Sequence, residues 1–245
     1  MELREDERID DLELNDFKII QKKDGFCFGI DSVLLSDFAK EIKKDSKVVD
    51  LGSGTGILAI LLCAKTKLSK IIGIEIQEDM ADMAKRSGRL NNLQDRFEVI
   101  NADIKNLSSI IKQNEFDAVI MNPPYMELNT GKTNLNEKKI ISRHEVTASL
   151  EDFIIASKKI LKDKGNLYIV HRPNRLIDLC YLLRKHKLEP KTTRFVYPKK
   201  ESQANLVLIK AVKNGGSFLK VMEPLYVYEN DGSYTKEILK IYNKI

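Results

Sequence analysis

The chain has 245 residues, of which 42% are hydrophobic and 31% charged, with a formal net charge of +5. This length suits one α/β domain with a modest appendage, and the most apolar run, residues 57–64, is far shorter than the roughly 20 residues of a membrane-spanning helix. The acidic N-terminus lacks the order of a signal peptide and the three cysteines are widely spaced, so we expect a cytoplasmic protein with reduced thiols, no membrane segment and no metal site.

Apolar runs rich in β-branched residues alternate with helical patterns, which is typical of a mostly parallel sheet covered by helices on both faces. Strands are predicted at residues 47–51, 71–76, 97–101, 116–121, 166–171, 194–197 and 205–212, with a short strand or hairpin within 218–228. Helices are predicted at residues 32–40, 57–65, 78–91, 149–161, 174–185 and 234–242. The pattern predicts a seven-stranded, doubly wound, Rossmann-like α/β sheet that is mostly parallel and has an antiparallel closing strand.

We interpret residues 1–245 as a single domain with three parts. Residues 46–212 form the core, preceded by an N-terminal segment, residues 1–45, that we expect to cover a bound cofactor. Residues 213–245 form a C-terminal extension. The polar stretch at residues 127–139 predicts a mobile loop.

The first candidate binding motif is a glycine-rich turn, residues 50–56, between the first core strand and its helix. Glycine lets the backbone approach a ligand closely, and the N-terminus of the helix favours a carboxylate or a phosphate. Dinucleotide enzymes also carry such a turn, and a purely structural tight turn is the alternative. The candidate cofactor contacts here are Asp50, Gly52, Ser53, Gly54 and Gly56.

Carboxylates also follow the next two strands. Glu75 comes roughly 20 residues after the turn, where a carboxylate can accept both ribose hydroxyls of a nucleoside, and we include its neighbour Ile76. Asp103 follows the third strand and is placed to accept from an adenine amino group, with Ile104 offering an apolar or backbone contact. A solvated aspartate at a strand end is the alternative for Asp103. Because the carboxyl ends of parallel strands share one edge, these residues together predict a nucleoside site there.

The fourth strand is followed by residues 122–125, Asn-Pro-Pro-Tyr. The lone pair of a planar amino group is delocalised, so this nitrogen is a poor nucleophile. The Asn122 side-chain oxygen and the Pro123 carbonyl can each accept one N–H, which frees the lone pair for attack through positioning and electrostatics. Tyr125 offers a flat face on which a flipped-out base can stack. The motif therefore predicts chemistry at a planar amino nitrogen.

The charge of the chain is uneven. Residues 1–157 carry 22 basic and 28 acidic side chains, whereas residues 158–245 carry 19 basic and 8 acidic ones. A solvated lysine-rich surface and a binding surface for a polyanion both fit this distribution. The charge alone does not choose between them.

Four further residues have two interpretations each. Phe26 and Phe28 alternate in a strand-like segment, and they either cover the cofactor or pack in the core. Asp31 either reaches the amino group of the cofactor or caps the helix at residues 32–40. His171 ends the fifth strand near the edge of the site. It is either part of the site or structural, and the structural role is favoured.

The turn at residues 50–56, Glu75, Asp103 and residues 122–125 together resemble the class I S-adenosylmethionine methyltransferases that modify planar amino groups. Three subfamilies fit: adenine methyltransferases, guanine methyltransferases of ribosomal RNA, and glutamine methyltransferases of release factors. Five segments outside the core motifs are similar to the tRNA1(Val) (adenine-37, N6) methyltransferase family. They are residues 21–35, 171–173, 188–191, 194–198 and 225–228.

The resemblance implies a methyltransferase sheet that uses S-adenosylmethionine and modifies the exocyclic amine of an adenine in tRNA. It implies catalytic roles for Asn122, Pro123 and Tyr125, with Asn122 also near the cofactor. The residues expected to contact tRNA are Tyr125, Arg172, Arg194, Lys199 and Lys200.

Several alternatives stay open beside this interpretation. A release-factor methyltransferase normally has a separate helical N-terminal domain, for which the 46 residues before the first strand leave no room. A guanine methyltransferase of ribosomal RNA fits the core motifs. An RNA-binding module with an inactive core is disfavoured by the intact Asn122 and Glu75. A nicotinamide dehydrogenase is disfavoured because the turn lacks the G-x-G-x-x-G spacing.

Overall fold

A computed structural model describes residues 3–24, 28–125 and 148–245, in which strands and helices alternate. The strands are β1 Glu7–Asp11, β2 Lys18–Lys22, β3 Lys47–Leu51, β4 Lys70–Glu75, β5 Phe97–Asn101, β6 Phe116–Met121, β7 Leu161–His171, β8 Leu188–Tyr197, β9 Leu206–Lys213, β10 Lys220–Val221 and β11 Leu225–Tyr226. The helices are α1 Ile30–Phe38, α2 Ile57–Lys65, α3 Glu78–Leu90, α4 Leu150–Ile160, α5 Leu176–Lys185 and α6 Lys236–Ile241. Short 3₁₀ helices cover Ile104–Ser109 and Pro173–Arg175.

The central sheet has the order β8-β9-β7-β6-β3-β4-β5, and the two-residue strands β10 and β11 both pair with β8 at its edge. All its pairings are parallel except those of β9, which runs antiparallel to both β7 and β8. The predicted seven-stranded, mostly parallel α/β sheet with an antiparallel closing strand is confirmed. The two short strands extend it at one edge.

The strand order reverses direction at β3, which pairs with β4 on one side and with β6 on the other. Leu51, the last residue of β3, lies opposite both Ile74 and Met121. The residues that follow these three positions therefore lie side by side at one edge of the sheet. In open α/β sheets, ligands bind in the crevice at such a reversal point.

Apolar side chains fill both faces of the sheet. In β3, Val48 belongs to the apolar cluster on one face of the sheet, which includes residues of α1 and α2. Val49 belongs to the cluster on the opposite face, which includes residues of α4. Successive side chains of a strand point to opposite faces, so a strand covered by helices on both sides is apolar throughout. This burial fixes the register that aligns the strand ends.

A two-stranded antiparallel sheet precedes the core, formed by β1 and β2. It packs on α3, where the buried Glu7 accepts hydrogen bonds of 2.7 and 2.5 Å from the Arg86 guanidinium. The buried Ser87 hydroxyl accepts one of 3.0 Å from the Ile20 amide. The acidic start of the chain is therefore a docked strand, which the sequence pattern did not predict.

Several predicted boundaries move by a few residues. β8 begins at Leu188, six residues before its predicted start at Arg194. The strand has a register shift after Pro190, which lacks an N–H for the ladder. Because proline is unusual inside a strand, the sequence pattern did not predict that β8 extends to this side of Arg194. Helix α1 begins at Ile30, two residues before its predicted start.

Candidate active site

The glycine-rich turn follows β3 as predicted, and three of its residues have positive φ: Gly52 at 72°, Gly54 at 53° and Gly56 at 85°. Side chains other than glycine are strained there. A Cβ at Gly56 would also lie 2.9 Å from the Phe97 ring, whereas a Cβ at Gly54 would meet nothing within 4 Å. The turn therefore packs tightly at its helix end and is open in the middle, where a ligand can approach the backbone.

Asp50 lies directly beneath this turn and is fully buried. Among the described residues, neither its carboxyl oxygens nor the buried Ser53 hydroxyl has a hydrogen bond of full geometry, although the Ala59 amide lies close enough to Asp50 to favour its charged form. Burial, reinforced by the charge of Glu75, raises the pKa of Asp50 to about 8. Buried polar groups are normally paired, so these atoms point to a polar ligand at the turn.

Glu75 ends β4 beside the turn and is also buried. One carboxylate oxygen accepts a hydrogen bond of 2.8 Å from the Gly54 amide, and the other accepts one of 2.9 Å from the Gln77 amide. Burial raises its pKa, and these backbone hydrogen bonds oppose the rise. Each oxygen of an ionised carboxylate can accept more than one hydrogen bond, so Glu75 retains capacity for a ligand.

Asp103 follows β5 at the same edge. Its carboxylate accepts a hydrogen bond of 2.9 Å from the Lys105 amide and so caps the 3₁₀ helix that begins with the buried Ile104. Ile76, after Glu75, is a large apolar residue with 41% of its surface exposed. These residues form the rim of the crevice, with an apolar side chain left open to solvent.

Asn122 follows β6, across the strand-order reversal from the turn, and it contacts Tyr125. The Tyr125 hydroxyl lies 2.8 Å from Asn122 Oδ1 and 2.9 Å from Asp31 Oδ2. Burial, reinforced by the charge of Asp31, raises the pKa of the Tyr125 phenol well above its usual range. The phenol therefore keeps its single proton, which it can donate to one of the two oxygens at a time.

The Tyr125 ring is held from two sides. The guanidinium carbon of Arg172 lies 4.7 Å from the ring centroid, and the His171 ring makes an edge contact at 5.3 Å. Burial and the nearby charges of Arg175 and Arg172 lower the pKa of His171 to about 4, so this ring is neutral at physiological pH. A cation over a ring face is a favourable contact of about 0.5–2 kcal/mol.

Asp31 lies in the first turn of α1, for which Gly29 is the N-cap residue. Its Oδ1 accepts from the amide of Ser32, and its Oδ2 faces Tyr125. The expectation that Asp31 caps a helix starting at Ser32 is therefore wrong, because the helix has already begun at Ile30. The structure instead connects Asp31 to Asn122 through one hydroxyl.

The four basic residues of the predicted tRNA surface differ in their environment. Lys199 and Lys200 are exposed in the turn after β8, at the same edge as the ends of β3 and β6. Arg172 also donates a hydrogen bond of 3.1 Å to the Asn205 carbonyl. Arg194 is only 13% exposed in its side chain and forms an ion pair of 2.7 Å with Glu237. This ion pair joins β8 to the C-terminal extension, and a role of Arg194 as a phosphate contact stays a prediction.

Several features predicted from the sequence fall in parts of the chain that the structure does not describe. Phe26, Cys27, His144 and the loop at residues 127–139 lie outside the described residues. Within the described ranges, Cys63 and Cys180 are free thiols, and no three metal-ligating side chains cluster. No helix in those ranges is long and apolar enough to span a membrane.

Sequence reasoning missed the contact of Tyr125 with Asp31, which lies 94 residues away in the chain. One sequence carries no signal for such a pair. It also missed a cluster of three tyrosines near the C-terminus, Tyr228, Tyr234 and Tyr242. Their repetition within a short, otherwise polar segment was a visible signal.

A doubly wound sheet with a glycine turn, two buried carboxylates and Asn-Pro-Pro-Tyr along one edge defines a protein of the methyltransferase class. Residues 29–188 match the family model of the methyltransferase small domain, and the chain belongs to that family. A crystal structure described as a predicted O-methyltransferase from Agrobacterium tumefaciens shares the fold, with a TM-score of 0.67 and 23% identity over 86% of this chain and 95% of that one.

Two relatives carry the name tRNA1(Val) (adenine(37)-N6)-methyltransferase. The chain is 30% identical to one from Porphyromonas gingivalis over 168 residues, covering 66% of this chain and 65% of the relative. It is 27% identical to one from Shewanella halifaxensis over 236 residues, covering 89% of this chain and 93% of the relative. The chain thus spans slightly less than two thirds of the first relative and nearly all of the second.

Proposed function

We propose that this chain transfers a methyl group from S-adenosylmethionine to the exocyclic amine of an adenine in tRNA. The observation that carries the proposal is the convergence of Asn122 Oδ1 and Asp31 Oδ2 on one hydroxyl, that of Tyr125. The Tyr125 hydroxyl is a hydrogen-bond donor at the end of β6, and it occupies the position that we assign to an N–H of the substrate. A planar amine placed there would present one N–H to Asn122 Oδ1, while the Tyr125 hydroxyl keeps Asp31 Oδ2 as its acceptor.

The acceptor geometry suits activation of a planar amine. Asn122 Oδ1 takes one N–H, and the Pro123 carbonyl takes the other. Accepting both hydrogens favours a more tetrahedral nitrogen, whose lone pair is then available for attack. Tyr125 must give up its hydrogen bond to Asn122 first, and its ring then supports the flat base.

The turn after β3 fits S-adenosylmethionine. The unpaired oxygens of Asp50 and Ser53 and the open side of Gly54 provide polar contacts for its methionine part. Glu75 retains acceptor capacity for ribose hydroxyls, and Asp103, Ile104 and Ile76 border the adenine position. When bound, the cofactor supplies a methyl group on a sulfonium, which needs no metal for its transfer.

The substrate class rests on charge and on the two relatives with tRNA in their names. Lys199 and Lys200 lie at the same edge as Asn122, where they can contact the phosphates beside a flipped adenine. A tRNA substrate implies action in the cytoplasm, and we expect the chain to act as a monomer.

Incubation with labelled S-adenosylmethionine tests the proposal. Purified total tRNA and a purified release factor are supplied as separate acceptors, with the Asn122→Ala variant as the inactive control. We expect label in tRNA, recovered as N6-methyladenosine after digestion to nucleosides. Label in the release factor alone would establish glutamine methylation, and labelled guanosine would establish the guanine alternative.

Tyr125 yields a prediction about substrate capture. Tyr125→Phe keeps the ring but leaves Asn122 and Asp31 without their shared donor in the free protein. The target amine then displaces no hydrogen bond, so KM for tRNA should stay equal or fall by up to about tenfold, given about 0.5–1.5 kcal/mol for one hydrogen bond. Tyr125→Ala removes the ring and should raise KM. Steady-state kinetics of both variants measure this, and a raised KM for the Phe variant would contradict it.

The lysines after β8 yield a prediction about salt dependence. Lys199→Ala with Lys200→Ala should weaken tRNA binding and reduce the slope of log affinity against log salt by about 0.7–0.9 for each phosphate that is no longer neutralised. The matched control is Lys43→Ala with Lys44→Ala, two exposed lysines before β3, at the opposite edge of the sheet. Binding is measured at several salt concentrations. Equal slopes for both double variants would show that the surface lies elsewhere.

A further inference from the structure

Three tyrosine rings stack in a near-parallel column at the C-terminus of the chain. The Tyr228 and Tyr234 rings are 5.3 Å apart with planes 13° apart, and the Tyr234 and Tyr242 rings are 5.7 Å apart with planes 19° apart. Tyr228 is 40% exposed and Tyr234 is 37% exposed. This tyrosine column therefore shows aromatic surface to solvent at one end and enters the protein at the other.

The backbone holds the column in place. Tyr228 and Tyr234 oppose each other across an isolated antiparallel bridge, and the Glu229 amide donates to the Ser233 carbonyl within the turn. Opposed residues of such a pair put their side chains on the same face. Thr235 then caps α6 and donates a hydrogen bond to the Tyr226 carbonyl. The rings are thus fixed without any ligand.

The column lies at the same edge of the sheet as the candidate active site. The Tyr228 amide donates a hydrogen bond of 2.8 Å to the carbonyl of Pro198, directly after the end of β8. At its inner end, Tyr242 lines a cleft together with Phe28 and Val33, which precede and follow Asp31 in the chain. The charge of Asp31 contributes to raising the pKa of Tyr242 to about 12, after burial and the two other tyrosines. The column therefore extends from open surface toward α1, which carries Asp31.

Exposed side chains of both signs surround the column, and the acidic ones are Glu201, Glu229, Asp231 and Glu237. Four exposed lysines lie near it in the chain, two in the turn that follows Pro198 and two on α6, between Tyr234 and Tyr242. The ion pairs described in this region join Arg194 to Glu237 and Lys244 to Glu13, and the four lysines are exposed residues. The four lysines are Lys199, Lys200, Lys236 and Lys240.

We propose that the tyrosine column is a stacking platform for an unpaired base of the RNA next to the target nucleotide. The proposal rests on the proposed function, since it needs an RNA at the Asn122 edge. Flipping an adenine out of a loop leaves its neighbours without a stacking partner. Flat exposed rings with cations beside them are the features by which proteins hold single-stranded RNA. Tyr228 offers such a face at the outer end.

Binding of an unstructured uridine hexamer and of a tRNA anticodon stem-loop, each with a fluorescent label, tests the platform. Tyr228→Ala should weaken binding of both RNAs by about fivefold to 100-fold, the effect of losing one base–aromatic stack. Tyr228→Phe should bind as wild type, because the ring face is retained. The matched control is Tyr181→Ala, which removes a tyrosine that is 65% exposed on α5.

Melting temperature and cofactor affinity are measured for each variant, and both should stay at wild-type values. If Tyr228→Ala binds both RNAs like wild type while wild type methylates tRNA, the platform is wrong and the proposed function stands. If wild type neither binds nor methylates tRNA, both fail. A loss of affinity for a release factor, with RNA binding unchanged, would replace RNA by protein as the partner of the column.

Discussion

Asn122→Ala should lower the rate of methyl transfer by about 100-fold or more while leaving cofactor affinity nearly unchanged. The variant loses the side-chain oxygen that is proposed to accept from the target nitrogen, and removing one preorganised hydrogen-bonding group at an active site costs about 2.7–4 kcal/mol. Most of the proposed cofactor contacts follow β3, β4 and β5, across the crevice from Asn122, so they remain. Single-turnover kinetics with tRNA and calorimetry with the cofactor measure the two effects separately.

Asn122→Asp is the control for this prediction. It keeps an acceptor oxygen in the same place, so it should lose much less of the rate than the alanine variant. Both changes also remove or alter the partner of the Tyr125 hydroxyl, which still has Asp31. If the alanine variant retains its rate within about threefold, Asn122 does not activate the amine.

Glu75→Ala should weaken cofactor binding by roughly 10- to 150-fold, or about 1.5–3 kcal/mol for one hydrogen bond to a charged group. The carboxylate is the proposed acceptor for a ribose, and it also accepts a hydrogen bond of 2.8 Å from the Gly54 amide of the turn. Its loss therefore removes an acceptor for the ligand and loosens the turn. Calorimetric titration of the variant with S-adenosylmethionine measures the effect.

The matched control is Glu98→Ala, which removes an exposed strand glutamate paired with Lys70 on the neighbouring strand. It should bind the cofactor like wild type, because surface ion pairs contribute little. Both variants should keep the far-ultraviolet circular dichroism of the wild type. Unchanged affinity after Glu75→Ala would remove this residue from the site.

The core of the fold could be predicted because its signals are local. Apolar periodicity and glycine chemistry predict the strand before the glycine turn and the helix after it. They also predict the polar residues that end or follow the later strands. The turn residue Gly52 and the polar residues Glu75 and Asn122 lie at one edge of the sheet, as expected. Parallel pairing alone aligns the strand ends, so no long-range contact had to be known.

The failures involve residues whose partners are distant in sequence. The sequence pattern assigned no partner to Glu7, yet Arg86, 79 residues later, pairs with it in a buried site. Arg194 seemed a free cation until the structure paired it with Glu237. Charge patterns show the sign of a side chain and not its partner, so buried pairs and open binding surfaces look alike in one sequence.

The buried carboxyl beneath the glycine turn makes ligand binding sensitive to acidity. With a pKa of about 8, Asp50 is mostly protonated at neutral pH in the free protein. A cationic group placed beside it would favour ionisation, so Asp50 would release its proton on binding. Below pH 8 the affinity for S-adenosylmethionine should fall by up to about tenfold per pH unit. The heat of binding should depend on the ionisation heat of the buffer, and Asp50→Asn should abolish that dependence. Binding of a cation would thus be coupled to release of a proton from a carboxyl group that is fully buried.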